Sequence, residues 1–77
     1  MNEYYKTRDL AEASFLFTKT QELISIEREG KICWFIFQDK KQCEELSKQF
    51  WFQDALIPSK SFYESIQTLK NRIFNFN

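Results

Sequence analysis

The chain has no histidine and no valine, and in 77 residues it has one glycine, one proline and two cysteines. Each scarcity removes a class of chemistry. Without imidazole there is no Ser-His-Asp or Cys-His nucleophile. The common structural zinc sites need four clustered Cys or His, which the chain does not contain. Two cysteines are too few for a disulfide scaffold. A single glycine cannot build a glycine-rich phosphate loop. Charge of one sign is also missing: 11 Lys plus Arg balance 11 Asp plus Glu. The overall basic footprint expected of a duplex-DNA binder is therefore absent. No apolar run reaches the ~18 residues of a membrane span. The opening MNEYYKTRDL lacks the charged, apolar and small-residue regions of a signal peptide. Together with the few cysteines, that points to a reducing cytoplasm.

What is abundant is aromatic. Hydrophobic residues make up 43% of the chain and aromatics 18%, with nine Phe, three Tyr and two Trp. That hydrophobicity without net charge argues for a folded chain. The length fits one small domain over 1–77, with an ordered core from about Tyr4 to Phe74. A domain of this size has little core to spare, and large side chains or self-association compensate.

The local pattern gives an element order. Met1–Lys6 reads as an extended lead-in. Thr7 is the expected N-cap of a first helix over Arg8–Thr18, with Asp9 and Glu12 in its first turn favouring the helix dipole. Leu10, Ala11, Ser14, Phe15 and Thr18 form its stripe, widened by Leu16 and Phe17. From Glu22 the period shortens: Ile24 and Ile26 alternate with Ser25 and Glu27 as in a half-buried strand. Glu29-Gly30 marks a hairpin tip, and Lys31–Gln38 is the return strand. Ile32, Trp34 and Ile36 share one face of that strand, and Cys33, Phe35 and Phe37 the other. Both faces are apolar, so both need a cover.

Asp39-Lys40-Lys41-Gln42 has capping-box form and opens a second helix to about Trp51. Its stripe is Cys43, Leu46 and Phe50. Lys40/Glu44, Lys41/Glu45 and Glu44/Lys48 are spaced for surface ion pairs. Phe52–Ile57 reads as a connector. Pro58 suits the start of a third helix, to about Phe74, whose stripe of Phe62, Ile66, Leu69 and Ile73 is the clearest periodicity in the chain. The expected architecture is a single α+β domain of order αββαα, a two-stranded antiparallel hairpin packed with three helices.

The run Tyr5-Lys6-Thr7-Arg8-Asp9-Leu10-Ala11, the strand Trp34-Phe35-Ile36-Phe37 with Asp39 after it, Phe50-Trp51, Ile57-Pro58, Phe62-Tyr63 and Leu69-Lys70-Asn71-Arg72-Ile73 follow one another in a familiar order. In this the chain resembles a family of small bacterial and phage proteins grouped as a domain of unknown function. The resemblance covers Tyr4 to Phe74 and implies the fold, but no activity. Lys19-Thr20 stands where a glycine often closes the first helix in that family.

Few residues point to chemistry. Cys33 and Cys43 read as buried structural thiols, since no histidine can activate them. Asp9, Glu12, Asp39, Glu44 and Glu45 are explained by caps and surface pairs. No cofactor or metal is expected, and no enzyme. The expected function is a non-enzymatic protein-interaction or accessory module, binding a protein partner or a second copy of itself. Its candidate contacts are Trp34, Trp51 and Phe52, because three consecutive aromatics at Phe50–Phe52 cannot all point inward from one helix. The alternative is a single-stranded nucleic-acid binder. There Trp34 would stack bases beside Arg28 and Lys31, with Lys60, Lys70 and Arg72 supplying phosphate contacts. Against it stands the ordinary need of a small domain for aromatic core.

Overall fold

A computed structural model describes residues 3–19, 21–53 and 57–75. Six elements follow in order: β1 (Tyr5–Thr7), α1 (Leu10–Thr18), β2 (Leu23–Glu29), β3 (Ile32–Phe37), α2 (Lys40–Phe52) and α3 (Ser59–Phe74). The expected αββαα order is present with one strand in front of it. The sheet is accordingly not a two-stranded hairpin. It is antiparallel and three-stranded, in the order β1-β3-β2. The extended lead-in supplies the added strand, with Tyr5 opposite Phe37, Lys6 opposite Ile36 and Thr7 opposite Phe35. An apolar strand such as β3 is stable at the centre of a sheet, and β1 fills the edge that a hairpin would have left open.

The hairpin forms where the lone glycine allows it. Gly30 has φ +62°, a left-handed conformation that a side chain disfavours. Glu29 then pairs with Ile32, and the ladder runs back to Leu23 opposite Phe37. Between Leu23 and Ser25 the register slips by a bulge. The bulge corrects the expected alternation. Leu23 and Ile26 pack on the core, whereas Ile24 is 42% exposed.

Helix starts are set by acids. Asp9, not Thr7, caps α1, its side chain accepting from the Glu12 N–H at 2.8 Å. Asp39 caps α2 in the expected way, accepting from the Gln42 N–H at 3.1 Å. Pro58 occupies the N-cap of α3. At the end of α1, Lys19 donates its N–H to the Phe15 carbonyl at φ −83°, so no glycine is needed there. α2 runs through Phe52, and residues 54–56 of the expected connector lie outside the described residues, as do 1, 2, 20, 76 and 77. None of the three expected ion pairs on α2 forms among the described residues. Lys48 approaches Glu45 and Lys40 approaches Glu3 instead.

Phe35 and Phe37 meet Phe15 and Leu16 of α1, Cys43 and Leu46 of α2, and Leu69 of α3 in one buried cluster. The helices therefore cover the Phe35 side of the sheet. Of these, the fully buried Phe15, Leu16, Phe35, Phe37 and Leu69 each contribute on the order of 1.5–3 kcal/mol. α1 lies between α2 and α3, which is why Glu12–Leu16 is buried on every side while Ala11, assigned to its stripe, is exposed. The other side of the sheet carries Ile32, Trp34 and Ile36 with Lys6, Ser25 and Glu27 across from them.

Candidate functional site

Among the places where the described residues gather polar groups, two are the Glu12 carboxylate and the face of α3 beside β2. The first is buried. Glu12 sits in the first turn of α1 and is 4% exposed. Thr7 donates its hydroxyl to Glu12 Oε1 at 2.6 Å, and Tyr5 donates to Oε2, also at 2.6 Å. Ser47 of α2 donates to the same Oε2. The Thr7 oxygen also accepts from the Asp9 N–H at 3.2 Å. Asp9 and Glu12 thus form a capping box with a threonine hydroxyl interposed. Both carboxylate oxygens are taken, and three hydroxyls replace the water lost on burial. Burial, and then the hydrogen bond to Glu12, push the Tyr5 phenol from its ordinary 10.0 up to about 12. This cluster joins β1, α1 and α2. Its hydrogen bonds tie the three elements together.

The two cysteines do not pair with each other. Both thiols are free, and Cys43 is fully buried while Cys33 is half-buried. Burial, followed by the charge of Asp39, pushes the Cys43 thiol up to about 11, so it stays protonated and a poor nucleophile. No group of three or more His, Cys, Asp or Glu that could hold a metal ion occurs among the described residues.

The second place is open. A groove of about 550 Å³ runs between β2 and the C-terminal half of α3. One wall is Leu23, Ile24, Ser25 and Ile26 of β2. The other is Thr68, Asn71, Arg72 and Asn75, spaced i, i+3, i+4 and i+7, which is one face of a helix. β2 is a sheet edge, hydrogen-bonded only to β3, so the ladder groups on its outer side have no strand partner. Among the described residues Arg72 is the one charged residue lining the groove. Its guanidinium lies over the Phe17 ring at 5.2 Å. The ion pairs formed among the described residues use Lys6, Lys40 and Lys48, not Arg72. The volume lies within the roughly 300–1,000 Å³ of ordinary ligand pockets.

The residues singled out from the sequence are dispersed. Trp34 is half-buried on the outer side of the sheet, with the Lys6 ammonium 5.3 Å from its ring centre and Glu27 3.9 Å from that ammonium. Arg28 pairs with Cys33 and so belongs to the helix side, opposite to Trp34. Lys31 is in the turn. Trp34, Arg28 and Lys31 thus form no common surface. Lys60, Lys70 and Arg72 do not share a face either. At about 100° per residue, Lys70 and Arg72 lie on nearly opposite sides of α3. Trp51 and Phe52 are 51% and 84% exposed at the end of α2, with the Trp51 ring edge-on to Phe50 at 4.9 Å. Of all these residues only Arg72 lies in the groove. Thr68, Asn71 and Asn75 are absent from the expected set. Their polar i, i+3, i+7 spacing is visible in the sequence, but it reads as a solvated face until the strand beside it is known.

The chain belongs to the family described as Domain of unknown function (DUF5659), whose model matches residues 2–75. No curated protein and no solved structure matches it.

Proposed function

We propose that this domain is a non-catalytic interaction module that takes an extended segment of a protein partner along the free edge of β2, in the groove bounded by α3. The observation that carries this reading is the pairing of a seven-residue edge strand with a facing row of side-chain amides. An added strand satisfies its backbone on such an edge and gains specificity from alternate side chains. Asn71 and Asn75 both donate and accept, as a peptide backbone on the far wall requires. Ile24, turned out by the bulge, offers apolar contact. A non-catalytic role is supported by the buried, fully hydrogen-bonded Glu12 carboxylate and the protonated Cys43 thiol. Self-association along the same edge is the competing occupant.

The test is amide NMR on the full chain, titrated with capped heptapeptides selected from a randomised display library. Shifts and slowed exchange at Leu23–Ile26 and Thr68–Asn75 are the expected result. Shifts confined to Trp51 and Phe52, or to the Trp34 side of the sheet, would overturn it.

A further inference from the structure

Resting on the reading of the β2 groove as a strand-accepting site, we propose that the segment it accepts is acidic, with a side-chain carboxylate engaging Arg72. Among the described residues Arg72 is the only charge lining the groove, it takes no part in the ion pairs they form, and its guanidinium carbon lies over the Phe17 ring at 5.2 Å. A guanidinium stacked on an aromatic ring keeps its fork of N–H donors at the ring's edge, preorganised for two parallel bonds to a carboxylate. Apolar Leu23 and Ile26 on the strand wall leave no competing acceptor charge there. An extended segment with a carboxylate on alternate residues presents those carboxylates to one side, which is the geometry a single cation on one wall demands.

The carboxylate is that of a side chain. Capture of a chain terminus generally uses a nest of successive backbone N–H groups, whereas this groove is walled by a strand edge and by side chains of α3 and its C-cap. The occupant is also not a second copy. Antiparallel pairing of two β2 edges about a two-fold axis puts the helix sides of both sheets together. Arg28 belongs to the helix side. Self-pairing would therefore bring the second copy's Arg28 to the side of the sheet where Arg72 stands outside the ion pairs formed among the described residues.

The experiment titrates the full chain by amide NMR. Its probes are N-acetylated, C-amidated heptapeptides of alternating valine with glutamate, with glutamine or with lysine, at low and at physiological salt. The glutamate peptide is expected to shift Leu23–Ile26 and Thr68–Asn75, to bind at least about tenfold tighter than the glutamine peptide, and to weaken with salt. Arg72→Gln is expected to erase that preference while leaving the spectrum elsewhere unchanged. Arg72 is exposed on α3, so this variant keeps the core intact. Equal binding of the glutamate and glutamine peptides in the groove would overturn the acidic preference and leave the strand-accepting reading standing. No groove shifts with any of the three would overturn the strand-accepting reading itself. Tighter binding once the C-terminal amide is replaced by a free carboxylate would overturn the assignment to a side chain. A concentration-dependent mass of twice the chain, with β2 amides protected, would assign the edge to a second copy instead.

Discussion

The two edges of the sheet are finished in different ways. β1 is three residues long, and two of them, Tyr5 and Thr7, are tied by their hydroxyls to a buried carboxylate between α1 and α2. β2 is seven residues long, carries a bulge, and faces a groove rather than a tie. Length alone would make β2 the firmer strand. The polar contacts say the reverse: the short edge is secured by side chains, and the long edge keeps its backbone groups available. An edge strand can be retired from pairing by its neighbours or left in service, and this small sheet does one on each flank.

Phe37 spans the comparison, since Tyr5 lies across from it on one side and Leu23 on the other. Phe37→Ala should have the largest effect, about 3–5 kcal/mol, and should loosen both edges together. Chemical denaturation with amide exchange on both strands checks it. Glu12→Ala should separate the edges. It strands three hydroxyl donors in the interior and costs about 3 kcal/mol. Exchange should accelerate at Tyr5–Thr7 before it does so in the β2–β3 hairpin. Uniform acceleration would mean that the tie is not local to β1.

A gentler break is Tyr5→Phe, which removes one hydroxyl from the carboxylate and should cost about 1–2 kcal/mol. The same group gives a pH signature. Because its folded pKa lies at about 12 rather than 10.0, the neutral phenol favours the fold. That contribution is complete below pH 10 and is lost as pH rises through 12, the unfolded phenol ionising first. Tyrosinate absorbance should therefore show a component rising near pH 12, which Tyr5→Phe should remove. At the other edge, Ile24→Ser should change stability by no more than about 0.5 kcal/mol. Its effect should appear in peptide affinity instead. A large loss of stability there would show that β2 is held by its side chains after all.

The sequence announced what is local. The Phe62, Ile66, Leu69 and Ile73 stripe gave α3 nearly to the residue, Gly30 gave the hairpin, and Asp39 the start of α2. What it hid is non-local. Tyr5-Lys6-Thr7 is too short and too polar to signal a strand, and it becomes one only because β3 lies open beside it. Trp34 and Phe35 looked interchangeable, because an apolar residue does not say which side the helices will take. The bulge moved Ile24 out of the alternation that had grouped it with Ile26. The groove was hidden for the same reason. Whether β2 is an edge depends on strand order, and strand order is decided by β1. Glu12 was readable as a first-turn acid, but its hydroxyl partners come from β1 and from Ser47 of α2, far along the chain.

That placement of β1 also has a consequence in time. Its partner is β3, not the neighbouring β2, so Tyr5 must wait for Phe37 before it has anything to pair with. The hairpin joins adjacent strands through a tight turn and can close in about 1–10 μs. Docking β1 closes a much longer loop and brings in Ser47 from beyond β3, a step with a greater entropic barrier. On a ribosome β1 emerges before β3, yet it would be among the last of these elements to find its place. Until it did, β3 would show the surroundings the very edge that the finished protein conceals.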